Sequence, residues 1–369
     1  GLPRMLEALL HERWPAARFE VVNAAMTAIN SHVVLPIARD CARADGDFWI
    51  VYMGNNEVVG PFGSGTVFGR QAPPLALIRG SLALKGTRIG QLLASLPQLW
   101  RSRPASPTEW RGMEMFLAHQ VPQEDPRMTT VYAHFERNLA DILDTGRRRG
   151  VKIIVSTVLS NLKDCAPFAS AHRTDLPQAK AVEWTRLYQA GVQAEQTGHS
   201  AAAIEAFEQA GRIDAEFADL QFRWARCCLA LGLEEEARRR FRLARDADTL
   251  RFRVDSPMND LIRHTAAQRE GQGIYLVDAE ELAARESPHG LPGEELLYEH
   301  VHLNFRGNYL LARAFAEQVA TSLPDTITQH PDSSRSWMSQ SDCARRLGWT
   351  DWNRYEAAES MIQRLNDPP

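Results

Sequence analysis

The chain has 369 residues, of which 44% are apolar and 24% charged, with a formal net charge of -4 at neutral pH. That is the balance of an ordinary globular protein with length for about two domains and a substantial core. Its mild acidity excludes any global attraction to nucleic acid or to an anionic membrane surface. Five cysteines, Cys41, Cys165, Cys227, Cys228 and Cys343, are odd in number and form no C-x-x-C pair, which argues against a disulfide framework or a zinc knuckle. No apolar run reaches the ~18 residues of a membrane span, and the compartment is left open.

In chain order, Leu2, Met5, Leu6, Leu9, Leu10 and Trp14 recur at helical spacing with no strand ahead of them, so the chain reads as starting inside a domain. Phe19–Asn23 is expected as a strand, Val33–Ala44 as a helix and Phe48–Met53 as a second strand. The apolar run Val151–Val158 predicts a third strand and Ile274–Val277 a fourth. Strands alternating with helices predict a parallel sheet covered by helices. Between the second and third strands lies a long insertion, residues 60–150, which starts in the turn-rich Pro61-Phe62-Gly63-Ser64-Gly65 and ends in a helix over Val131–Arg147. It is expected either as a lid over the site or as a peripheral cap packed through Trp110, Met113, Met115 and Phe116.

Residues 183–250 follow a different rule. Gly198, Ala203, Phe207 and Ala210 recur as Gly232, Ala237, Phe241 and Ala244, a period of about 34 residues, and Gly191 is answered by the small Ala225. Small residues let two antiparallel helices approach, and the phenylalanine fills the space between them. This pattern resembles two tetratricopeptide repeats, inserted between the third and fourth strands, and the resemblance implies a protein or peptide partner. Residues 1–182 and 251–325 then form the two parts of one α/β domain, and 326–369 a linker and a C-terminal helix over Asp351–Leu365. The stretch Asp325–Ser336 is polar enough to be that linker. Arg147–Arg149 and Arg238–Arg240 are expected as solvated helix faces.

Two short polar blocks carry the chemistry. Gly54-Asn55-Asn56-Glu57 ends the second strand, and Glu299-His300-Val301-His302 precedes an amphipathic helix that starts after Asn304. Together they resemble blocks III and V of the SGNH/GDSL hydrolases, Gly-x-Asn-Asp/Glu and Asp-x-x-His. The resemblance covers residues 1–158 and 255–323. It implies an α/β, three-layer, flavodoxin-like fold with a parallel sheet whose first strand is missing from this chain. It also implies a serine nucleophile, with His302 as its base, Glu299 orienting that base and the Asn56 amide binding the oxyanion of a tetrahedral intermediate. Gly54 would turn the backbone sharply, and Ala25, in Asn23-Ala24-Ala25-Met26, stands where the family has a glycine whose backbone N–H is a further oxyanion donor. Glu299 replaces the family's usual aspartate.

His300 is the rival to His302, and the three-residue spacing from Glu299 favours the latter. His32, His119, His134 and His264 are expected to be structural or exposed. Asn161 is expected in a turn, and Ser64 is rejected as nucleophile because it follows the asparagine block. No serine stands where the nucleophile block belongs, and the resemblance implies that it lies upstream of Gly1, so this polypeptide alone is expected to be inactive and poorly soluble. The implied substrate is an acyl ester on a glycan or lipid, with no metal or organic cofactor. A non-catalytic binding scaffold and an O-acyltransferase are the competing functions.

Overall fold

The computed structural model describes residues 1–88, 90–92, 112–329 and 336–366. Trp110 and part of the expected linker, residues 330–335, lie outside them, as does the side chain of Met113.

The helices are α1 (Leu2–Arg13), α2 (Ser31–Cys41), α3 (Leu75–Lys85), α4 (Pro126–Arg147), α5 (Gln178–Gln196), α6 (Ser200–Ile213), α7 (Ala218–Ala230) and α8 (Glu234–Asp246). They continue as α9 (Ser256–Ala267), α10 (Ala279–Glu286), α11 (Phe305–Ala320), α12 (Asp325–Thr328), α13 (Gln340–Arg346) and α14 (Asp351–Asn366). Among the described residues three strands, β1 (Phe48–Tyr52), β2 (Lys152–Ser156) and β3 (Ile274–Val277), form one parallel sheet in the order β1-β2-β3.

The sheet is the middle of three layers, and strand alternation decides which side chain joins which layer. Trp49, Val51, Ile153, Val155 and Ile274 face one core with Leu35 of α2, Phe135, Leu139 and Leu143 of α4, and Met258 and Ile262 of α9. Phe48, Ile50, Tyr52, Ile154 and Val277 face the other, against Leu6 and Leu9 of α1 and Leu311, Phe315 and Val319 of α11. Both faces being covered explains why these strands read as almost unbroken apolar runs.

The expected strand at Phe19–Asn23 does not form. Its backbone is held by α1 instead, with the Val21 N–H on Glu7 Oε2 at 2.9 Å and His11 Nε2 2.8 Å from the Phe19 carbonyl oxygen. A strand requires a partner ladder, and among the described residues β1 pairs only with β2, so nothing bridges the gap to residues 19–23. The expected linker also begins with a short helix, α12.

The helices α5 to α8 form two antiparallel hairpins between β2 and β3, starting five residues before the sequence boundary. The repeated positions do what their spacing implies. Ala203, Phe207 and Ala210, like Ala237, Phe241 and Ala244, are buried in one core. Gly198 and Gly232 take positive φ values of 79° and 73° at the two turns, where glycine has no steric penalty. Of Arg238–Arg240, Arg239 is exposed as expected, whereas Arg238 is half-buried and Arg240 lies over the Trp224 ring at 3.3 Å and pairs with Glu236.

Candidate active site

The carboxyl ends of β1 and β2 supply the floor of the site. After β2, Val158 is pinned by Asn259 of α9, whose Oδ1 accepts the Val158 N–H at 2.8 Å and whose Nδ2 donates to the Val158 carbonyl at 2.9 Å. The chain then runs through Leu159 and Ser160 to Asn161, all buried. Against this segment rests the loop that carries the second polar block. Leu297 and Leu303 form an antiparallel bridge, closed further by Tyr298 N–H to His302 O at 2.8 Å and Asn304 N–H to Leu296 O at 3.0 Å. The tip of this tight loop is Glu299-His300-Val301-His302. Asn304 then caps α11, its Oδ1 accepting from the Gly307 N–H at 3.0 Å.

Glu299 and His302 are in direct contact. Glu299 Oε1 lies 2.6 Å from His302 Nδ1 and also accepts the His302 backbone N–H at 2.7 Å. An ionised carboxylate only accepts hydrogen bonds, so the neutral ring carries its proton on Nδ1 and leaves Nε2 as the basic nitrogen. The His302 side chain is 57% exposed and that of Glu299 only 9%, so the carboxylate is sequestered behind an accessible imidazole. His300 is the reverse. Its ring is largely covered, packed edge-on against Phe168 with 5.0 Å between centroids, and its Nδ1 faces Glu299 Oε2. Burial, followed by the charges of Arg253 and His302, pushes His300 down to about 3, which keeps it neutral.

The first block sits at the end of β1 on the same edge of the sheet. Gly54 has φ of 154°, and a Cβ there would stand 2.7 Å from Val254 Cγ2, so this position is closed to other residues on two counts. The Asn55 side chain accepts the Val254 N–H at 3.3 Å, and Asn56 Nδ2 donates to the Ile29 carbonyl at 3.3 Å. Glu57 turns inward and accepts both the backbone N–H and the hydroxyl of Ser31, at 2.6 and 2.8 Å, at the start of α2. Burial outweighs those two bonds and raises the Glu57 carboxyl to about 7. Glu57 therefore braces the Asn56 turn from inside the fold.

The two blocks share a wall. Val59, three residues beyond Asn56, packs in one cluster with Phe116, Leu250 and Phe252, with Phe168 against it, and the His300 ring closes that cluster from the other side. The segment Leu250–Asp255 thus runs between them, touching one block through Val254 and the other through Phe252.

Ala25 is placed differently from its expected role. It lies in an exposed stretch, and its N–H is taken by Asn23 Oδ1 at 3.1 Å, which leaves it no proton to offer an oxyanion in this conformation. Ser64 is fully buried beside Met128 Sδ, which accords with its rejection. His32 is buried and bonded to Asn138, and His119 is bonded to Gln71. Among the described residues no cluster of three or more His, Cys, Asp and Glu side chains is arranged to hold a metal ion.

No family model, curated protein or solved structure matches this chain.

Proposed function

We propose that the chain is the main part of a serine-dependent ester hydrolase of SGNH/GDSL type, acting on an acyl ester of a glycan or lipid. In this reading His302 Nε2 takes the proton of a serine hydroxyl as that oxygen attacks the ester carbonyl. Glu299 stabilises the imidazolium that forms, and Asn56 hydrogen-bonds the oxyanion. The observation that carries the proposal is the 2.6 Å contact of a sequestered Glu299 with Nδ1 of an exposed His302, at the carboxyl edge of a parallel sheet. That is where open α/β sheets bind ligands. The sheet order supports the same reading, because a flavodoxin-like sheet read from its third strand onward has the order β1-β2-β3.

The nucleophile belongs, on this proposal, to a strand that pairs with the outer edge of β1 in a longer polypeptide. The test uses such an N-terminally extended form. It is expected to hydrolyse short acyl esters and to be labelled by a serine-directed phosphonate, and His302→Ala should abolish the labelling. Asn56→Ala should lower kcat by roughly 10² to 10³. Labelling that survives in His302→Ala would overturn the assignment. The ratio of hydrolysis to transfer onto an added sugar hydroxyl distinguishes an esterase from an acyltransferase.

The helical hairpins are proposed as tetratricopeptide repeats that hold a partner or position the substrate. Exposed Val182, Leu231 and Leu233 on or beside them support that role.

A further inference from the structure

Asn161 uses every hydrogen-bonding group it has, apart from one amide proton, to tie three segments together. Its backbone N–H donates to the His300 carbonyl at 3.0 Å and its Nδ2 to the Glu299 carbonyl at 3.2 Å. Its Oδ1 accepts the Asp164 N–H at 2.9 Å, and its own carbonyl accepts from Arg253 Nη1 at 3.0 Å. The residue is 2% exposed, and its carbonyl bond to Arg253 is buried while those to Glu299 and Asp164 are part-buried. Arg253 is fixed in turn by Asp248 at 3.0 Å and donates to the Cys165 carbonyl at 3.0 Å.

The consequence is geometric. The Glu299-His302 loop closes on itself through the Leu297–Leu303 bridge, the Tyr298 N–H to His302 O bond and the bonds from the Val301 and His302 N–H groups to Glu299 Oε1, and Asn161 ties its tip to the segment that follows β2. Asn161 grips the two carbonyls at the tip, those of Glu299 and His300, and so holds the backbone from which the Glu299 side chain projects. We propose that Asn161 is a positioning residue, locking the Glu299 carboxylate onto Nδ1 of His302 so that Nε2 remains the basic nitrogen. The role rests on the hydrolase reading for its purpose, but not for its test. The ionisable side chains of Glu299 and His300 adjoin the His302 ring within the loop, the His300 ring with its centroid 6.2 Å away.

The experiment reads the tautomer of His302 by ¹⁵N chemical shifts of the imidazole nitrogens in the full chain, above the range in which the ring is protonated. The wild-type ring is expected in the Nδ1–H form. Glu299→Ala is expected to release it toward Nε2–H. Asn161→Ala should do the same, raising the ratio of Nε2–H to Nδ1–H by roughly five- to tenfold, the effect of losing one well-placed hydrogen bond. Asn161→Asp keeps the size of the side chain and its acceptor for Asp164 while removing the donor to Glu299, so it should reproduce the shift even if the alanine variant fails to fold. Unchanged tautomers in the Asn161 variants, alongside a clear shift in Glu299→Ala, would overturn the positioning role. A wild-type ring that is insensitive to Glu299→Ala would instead sink the Glu299–His302 pair, and the hydrolase reading with it.

Discussion

Individual side chains at the β1 end are held by a buried polar network whose members titrate in opposite directions. Asn138 donates from Nδ2 to Ser31 Oγ at 3.0 Å and stands 3.0 Å from His32 Nδ1, while its Oδ1 accepts from Arg79 at 2.8 Å. An amide nitrogen only donates, so His32 Nδ1 must be an acceptor and the ring must be neutral. Burial, then the neighbouring charges of His134 and Arg79, pushes His32 down to about 4. A folded value below the unfolded one means the unfolded chain binds the proton first as pH falls. The contribution of His32 is therefore complete above the unfolded value near 6.5 and is lost as pH drops toward 4. Between pH 6.5 and pH 5 that amounts to about 2 kcal/mol. Glu57, raised to about 7, acts with the opposite sign, adding stability as pH falls from 7 toward 4.5. Urea denaturation of the wild type and of His32→Phe across this range separates the two. The variant should lose less stability, or gain more, on acidification than the wild type. Parallel curves would show that His32 takes up its proton in the folded state without penalty. None of this network was legible in the sequence, which offered His32 only as structural or exposed. Its partners come from positions 57, 79 and 138, and no local pattern connects them.

At the scale of elements, what the sequence disclosed depended on whether an element's stabilising partner was encoded nearby. The hairpins were readable because each repeat position has a local reason. Gly191 of α5 faces Phe207 of α6 so closely that a Cβ would collide with the ring, and at the matching positions of the second hairpin Ala225 and Phe241 are buried in the same core. Gly191→Ala is thus expected to overpack the first hairpin and destabilise it by about 1 to 3 kcal/mol. Adding Phe207→Leu should recover part of that loss, by giving the new methyl group space. Thermal melts of the two variants check this, and a double variant less stable than the sum of its singles would contradict it. Residues 19–23 failed as a strand for the complementary reason. Their apolar pattern suits a sheet, but a strand is completed by backbone bonds to a neighbour. The outer edge of β1 meets no other strand among the described residues. The Glu299–His302 contact was legible through its three-residue spacing, whereas Asn161, which bonds that loop, contacts residues 138 and 139 positions away and had no local signature.

Across the whole molecule, the repeats and the sheet are joined by three buried arginines that follow one another closely at the exit from the hairpins. Arg245 pairs with Asp246 at 3.0 Å and with Glu280 at 2.8 Å. Arg251 pairs with Asp255 at 2.9 Å and donates to the Val121 carbonyl at 2.9 Å. Arg253 pairs with Asp248 and reaches the Asn161 loop. Asp248 also accepts the backbone N–H groups of Phe168, Ala169 and Leu250, so one buried carboxylate ties the end of the repeats to the segment that follows β2. Such an arrangement contributes less to net stability than to the uniqueness of the junction, because desolvating each charge offsets much of its attraction. Removing one partner is a different matter. Arg253→Met leaves the Asp248 carboxylate buried without its counter-ion, which should cost about 3 to 5 kcal/mol. Since the arginine bridges the two units, the loss should also appear as decoupling. In the wild type, hydrogen exchange in α5 to α8 and in β2 should report a single cooperative opening under mild denaturant. In the variant, β2 and the Asn161 loop should open first while the hairpins, whose core is their own, keep their protection. Arg253→Met combined with Asp248→Asn, which removes the orphaned charge, should recover a measurable part of the stability without restoring the coupling. If the single variant still opens in one step, the junction is held by apolar packing between the units, and the arginines are its consequence.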